Sequence, residues 1–128
     1  MQPYRSIWFT ILVVEVSTIV LTSAGVCKAP SHTAVLGKRA PDDKLLYRNR
    51  IRKDYQFLGF AGKFIKYPLE GQERKNITLI EIIDQYTDGN GGCFAIKKGG
   101  VGYDHVDLFL ISQFMRGLDF IVKIYGEN

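Results

Sequence analysis

Cysteine is scarce in this chain: Cys27 and Cys93 are the only two in 128 residues. Two cysteines cannot make a disulfide-dense scaffold, and Cys27 stands near enough to the N-terminus to leave with a cleaved leader. If Cys27 stays, a bridge from Cys27 to Cys93 is open; if it leaves, Cys93 is a buried thiol. Histidine is as rare, with His32 and His105 alone. His105 lies between Asp104 and Val106, and there is no nucleophile-elbow sequence. A thiol or serine hydrolase needs a base and an orienting group converging on its nucleophile, and these residues do not assemble one. The expectation is a protein that is not an enzyme and takes no cofactor. Proline is limited to four residues, and 46% of the chain is apolar, so neither disorder nor a collagen-like chain is indicated. Also missing are a convincing amphipathic helix, an internal repeat and a low-complexity tract.

What the chain does have, at its start, is the layout of a secretory signal. Arg5 precedes the apolar run Ile7-Trp8-Phe9-Thr10-Ile11-Leu12-Val13-Val14, and the segment closes on Thr22-Ser23-Ala24-Gly25. A cationic start, an apolar stretch and small residues for the peptidase follow in order. The competing reading is a membrane anchor, since Ile7 to Val26 approaches the ~20 residues that span a bilayer. Glu15 in mid-stretch costs about 2.5–3.5 kcal/mol in an inserted helix, and five hydroxyl residues dilute the segment, so a transient signal fits better. Cleavage after Gly25 or after Cys27 satisfies the small-residue rule, and Pro30 disfavours a later site. Residues 1–25 therefore read as a signal, with cleavage as late as 27, and residues 26–128 as a single domain. Roughly a hundred residues suffice for a real core but not for a second domain.

Charge is unevenly placed. Lys28 to Lys75 carries twelve lysines and arginines against five acids, whereas Asn76 to Asn128 carries four against seven. Period-two alternation dominates the same region. Leu118, Phe120, Val122 and Ile124 share one face of a segment bracketed by Gly117 and Gly126. Val106, Leu108 and Leu110 alternate likewise, and residues 113–117 read as a hairpin joining the two. Asn76 to Tyr86 is β-branched and more apolar, which suits a central strand better than a short helix. Asp88-Gly89-Asn90-Gly91-Gly92 forces a turn before a short strand at Cys93-Phe94-Ala95-Ile96. Lys44 to Arg52 forms a strand with Leu46, Arg48, Arg50 and Arg52 on one face and Leu45, Tyr47 and Ile51 on the other. Weaker segments follow at Tyr55–Phe60 and Lys63–Leu69. The fold expected is all-β, a single antiparallel β-sandwich or partly closed barrel.

Three motifs bear on function. Residues 99–107 match the calcium-binding nonapeptide pattern, but such sites form between stacked turns of tandem copies and this chain has one, so a glycine loop between strands is the better reading and no metal is expected. Asn76-Ile77-Thr78 is an N-glycosylation sequon, meaningful once secretion is accepted. Tyr47-Arg48-Asn49-Arg50-Ile51-Arg52-Lys53 places three arginines on one strand face, with Lys53 beside them. The plain account is a solvated edge strand whose charges discourage pairing. The functional account is a polyanion-binding face formed by Arg48, Arg50, Arg52 and Lys53, because arginine's planar fork suits sulfate, phosphate or carboxylate.

Leu36-Gly37-Lys38-Arg39, Asp43-Lys44-Leu45-Leu46-Tyr47-Arg48, Asn76-Ile77-Thr78-Leu79-Ile80, Asp84-Gln85-Tyr86, Gly91-Gly92, Gly99-Gly100-Val101-Gly102 and Phe120-Ile121-Val122-Lys123-Ile124-Tyr125-Gly126 form an ordered set. Together they resemble an insect family whose members are called probable salivary secreted peptides or multiprotein bridging factor 2-like proteins. The resemblance covers about Ser31 to Gly126. Phe114-Met115, where a basic glycine-rich turn is usual, and Cys93 depart from the family pattern. One family name implies secretion and an extracellular protein or sulfated-glycan partner. The other implies a transcriptional coactivator that bridges a DNA-bound regulator to the basal machinery, with transcription factors as partners. Neither implies catalysis, and no catalytic or ligand residues come with the resemblance. The leading expectation is a small secreted, glycosylated protein acting by binding in extracellular fluid, with no membrane span after cleavage.

Overall fold

The computed structural model describes residues 33–128; the expected signal, residues 1–25, and Cys27 lie outside them. Seven strands and no helix occupy the described residues: β1 (Ala34–Gly37), β2 (Lys44–Lys53), β3 (Gly62–Tyr67), β4 (Asn76–Asp84), β5 (Cys93–Gly99), β6 (Val106–Ile111) and β7 (Leu118–Glu127). They form a four-stranded sheet of order β1-β4-β7-β2 and a three-stranded sheet of order β3-β6-β5, every pair antiparallel. The expected all-β fold is therefore a two-sheet sandwich. No barrel closes, and β1, β2, β3 and β5 remain edges.

Alternation in the sequence builds the core directly. The inward row of β7, Leu118, Phe120, Val122 and Ile124, is fully buried, as are Val106, Leu108 and Leu110 of β6. Ile77, Ile80 and Ile82 of β4, Ile51 of β2 and Ile65 of β3 complete one continuous cluster. Each such side chain contributes about 1.5–3 kcal/mol on leaving water. β4 is a central strand, flanked by β1 and β7, and Leu79 on its other face is buried too. That explains why its sequence is apolar beyond simple alternation.

Four details differ from the sequence reading. β6 and β7 do not pair: they lie in opposite sheets, and residues 112–117 cross between the layers. A hairpin and an inter-sheet crossover impose the same period-two rows, since sheets ~10 Å apart both turn their apolar side inward. Ser112, fully buried, marks the crossover: its Oγ accepts the Ala61 N–H at 2.8 Å, and its own N–H donates to the Ala61 carbonyl at 2.8 Å. Leu46 leaves the arginine face, because a register shift between Leu45 and Tyr47 lets Leu46 and Tyr47 both pack on the core. Tyr55–Phe60 is a loop, and the segment expected at Lys63–Leu69 is the strand β3 at Gly62–Tyr67. The edge strand β1, four residues long, has too short a pattern to be read from sequence.

The connection from β1 to β2 runs from one edge of the larger sheet to the other, and Asp43 ties it down. Its buried carboxylate accepts hydrogen bonds from Arg39 Nε (2.6 Å), the Ala40 N–H (2.7 Å) and Thr78 Oγ1 of β4 (2.9 Å). Arg39 also lies over the Tyr125 ring of β7, 4.1 Å from its centroid. The glycine loop expected between strands joins β5 to β6. Gly99 holds φ +67° where a Cβ would overlap the His105 carbonyl, and the loop docks on β4 through Ile77 N–H to Tyr103 O and Gly102 N–H to Ile77 O, both 2.8 Å.

Burial raises the Asp43 pKa, but the hydrogen bonds from Ala40, Arg39 and Thr78 outweigh it, so the carboxyl titrates below its ordinary range. A depressed folded-state pKa contributes stability that is present above the unfolded value, near 3.9, and lost as pH falls through the folded one. Melting curves of Asp43→Asn are expected to lie below the unmodified chain at pH 7, with the gap closing below about pH 4. A gap independent of pH would show that the carboxylate charge does not hold the connection.

Candidate polyanion-binding face

β2 is the edge strand of the larger sheet, and its alternation sends Ile51 into the core and Arg48, Arg50 and Arg52 to the outer face. On neighbouring β7 they stand opposite Lys123, Ile121 and Asp119 respectively. Lys53 is opposite Leu118, an inward position, and is exposed because the strand ends there. Three of the four expected cations thus share a face, with Lys53 at its end on the alternate side.

The three arginines are not equivalent. Arg50 reaches diagonally to Asp119, with Nε to Oδ1 at 2.9 Å and Nη2 to Oδ2 at 2.8 Å, a bidentate fork on a side chain only 9% exposed. Hydrogen bonds from Arg50 hold the Asp119 carboxyl below the usual carboxylate range against its burial, and the charges of Arg50 and Arg52 add to the effect. The same bonds and charge push the Arg50 guanidinium further up. Arg50 is therefore committed to the sheet, while Arg48 and Arg52 form no ion pair among the described residues. They stand about 13 Å apart along the strand, with Lys123 opposite Arg48 and Glu81 opposite Lys123. Asp119 is the functional partner that sequence reading missed. The one signal for it was an acid on the outward row of β7, 69 residues away from Arg50.

Further cations gather at the same open side of the sandwich. A cleft of about 260 Å³ lies between the edges of β2 and β3, lined by Tyr47, Asn49, Lys63, Phe64, Ile65, Lys66 and Leu69. Lys63 and Lys66 are exposed, and Lys66 extends over the Phe64 ring. A chain of anionic groups laid along this edge could meet Arg48 and Arg52 on one side of β2 and the two lysines on the other. Guanidiniums free of internal partners keep their forks for sulfate or carboxylate oxygens.

The other singled-out residues fall elsewhere. Asn76 opens β4 and is exposed, as a glycan site requires, and it is paired across the sheet with Glu127. Thr78 of the same sequon is buried and donates to Asp43, so the fold itself accounts for a threonine there. Cys93 opens β5, half-buried and disulfide-bonded, while Cys27 lies outside the described residues. His105 Nδ1 is 2.9 Å from Asp104 Oδ1, and Arg74 is 3.4 Å from the same carboxylate. That cluster docks the glycine loop: the His105 hydrogen bond is the main cause that lowers the Asp104 pKa, and Arg74 adds to it against burial.

The inequality of the arginines has a measurable consequence. Arg50→Ser leaves the nearly buried Asp119 without its fork and is expected to lower the melting temperature, with Asp119→Asn in the same chain restoring part of the loss. Arg48→Ser, on an exposed side chain with no ion pair, is expected to stay within about 0.5 kcal/mol of the unmodified chain in urea. Equal effects of the two substitutions would remove the distinction.

Comparison with known proteins places this sandwich in a family. A protein named "Probable salivary secreted peptide" from Bombus ignitus is 35% identical over 97 residues, which cover 76% of this chain and 71% of that protein. No solved structure matches. A family model described as "Transcription activator MBF2" matches residues 36–126, all of the sandwich but its first and last few residues. The chain belongs to the transcription activator MBF2 family, the two sheets described above being the part it shares with that family.

Proposed function

We propose that the chain is a secreted, non-enzymatic protein that acts in extracellular fluid by binding polyanions, sulfated glycans foremost, along the β2 edge. The observation that carries the binding is the pair Arg48 and Arg52, exposed on an edge strand without internal ion-pair partners, with Lys53, Lys63 and Lys66 near them. Secretion is supported by the signal-like residues 1–25 and by the name of the Bombus relative. In that compartment the sequon at Asn76 becomes usable and a disulfide at Cys93 persists. A bridge within the chain needs Cys27, the one other cysteine, so cleavage after Gly25 fits better than cleavage after Cys27.

A second reading is a transcriptional bridging factor meeting transcription factors in the nucleus, favoured by the description of the matching family model. It requires the chain to bypass the secretory route. A glycan on Asn76 excludes that role for the molecules bearing it, since the sugar is added in the secretory lumen.

Heparin chromatography of protein recovered from insect-cell medium tests the binding. Retention is expected to weaken as salt rises, because screening shortens the reach of exposed charges. Arg48→Ser with Arg52→Ser is expected to lower the eluting salt concentration about twofold without changing the melting temperature, leaving the Arg50–Asp119 fork in place. Elution of the double variant with the unmodified chain would return the strand to a solvated edge.

A further inference from the structure

One end of the sandwich carries an apolar apex that the core does not explain. The β2–β3 loop, residues 54–61, exposes Tyr55 (62%), Phe57 (75%), Leu58 (65%) and Phe60 (47%), and the β6–β7 crossover adds Phe114 (50%). The two loops are one unit: the Met115 N–H donates to the Gly59 carbonyl at 2.7 Å, and the Phe60 and Phe114 rings meet edge to face at 5.5 Å. Leu58 and Met115 both sit in the left-handed region, at φ 53° and 60°, which glycine enters freely and L-residues other than asparagine and aspartate rarely adopt. The chain thus carries strain at the apex and leaves large apolar side chains in water at the same place. Neither feature stabilises the fold, and strained backbone held by its surroundings gathers at functional positions.

We propose that this apex is a membrane-docking tip, with Phe57 and Leu58 entering the headgroup region of a bilayer that carries anionic lipid. Three observations choose lipid over a protein partner. The apex is a pair of loop tips at the end of the strands, and a bilayer accommodates protruding side chains without a complementary groove. Its exposed apolar side chains offer about 600 Å², at about 200 Å² for a whole ring, which is less than the ~800 Å² per partner of a stable protein interface yet as large as the functional patches of monomers. Cations stand behind it: Lys53 at the end of β2, Lys63 at the start of β3 and Arg116 beside Met115, against Asp54 and Asp88. Tyr55, with an apolar ring and a polar tip, belongs at the level of the headgroups. An adjoining hollow of about 310 Å³, lined by Asp54, Tyr55, Tyr86, Asn90, Met115, Arg116 and Gly117, gives a headgroup room beside Arg116.

Vesicle flotation of the secreted chain tests this, with phosphatidylcholine vesicles containing 30% phosphatidylserine in 0.1 M NaCl. The unmodified chain is expected to float with the vesicles. Phe57→Ser with Leu58→Ser is expected to reduce the bound fraction at least tenfold at an unchanged melting temperature, while Arg48→Ser with Arg52→Ser, on the polyanion face, changes it less than twofold. Failure of the unmodified chain to float overturns the proposal, as does equal flotation of the Phe57/Leu58 variant. A concentration-dependent dimer in sedimentation equilibrium that disappears in that variant assigns the apex to a second copy and overturns it too. The two surfaces share Lys53 and Lys63, but the Phe57/Leu58 variant leaves both lysines in place, so its heparin retention is expected to match that of the unmodified chain and the two proposals are judged separately.

Discussion

The structure depends on one constraint: the inward row of β7 must meet the inward row of β6 across the gap between the sheets. Leu118, Phe120, Val122 and Ile124 on one side and Val106, Leu108 and Leu110 on the other are fully removed from water, and the remaining core residues pack around them. β7 also pairs on both flanks, with β4 and with β2, so its position sets the register of the larger sheet. Everything placed on the outer face follows from that register. Arg50 finds Asp119 because β7 offers it two residues along from Ile121, which Arg50 faces, and with that carboxylate held in the fork Arg48 and Arg52 form no ion pair among the described residues.

Connections between the sheets then distribute function over the surface. Asp43 fastens the β1–β2 connection across β4, leaving β2 as a ten-residue edge. Buried Ser112 fixes the crossover to the start of β3, which brings the loops at residues 54–61 and 112–117 side by side. An edge rich in cations and an apex rich in apolar side chains are consequences of one layout. Edge strands discourage unwanted pairing with charge, and the same charge is available to a ligand.

Much of this was legible in the sequence. The faces of β6 and β7, the central character of β4 and the outward placement of Arg48, Arg50 and Arg52 all follow from apolar periodicity, which the folded chain obeys, and the break between β4 and β5 follows from Gly89, Gly91 and Gly92. What was not legible depended on contacts distant in sequence or on single-residue shifts. Period-two rows do not distinguish pairing within a sheet from facing across two, so β6 and β7 looked like a hairpin. The shift at Leu45 to Tyr47 moved Leu46 into the core without a proline or glycine to announce it. Tyr55–Phe60, expected as a weaker segment, is a loop whose large apolar side chains face water, an exposure that residue type alone does not announce. The Arg50–Asp119 fork joins residues that no local pattern connects.

The most direct measurement of the account is N-terminal sequencing, with intact mass, of the protein recovered from the medium of insect cells. The proposed secretory route predicts a chain beginning at Val26 and, with Cys27 as the proposed partner of the disulfide-bonded Cys93, two hydrogens lighter than its reduced form. A chain beginning at Lys28 would contradict the bridge, and an intact Met1 found in cells, with none in the medium, would contradict secretion itself.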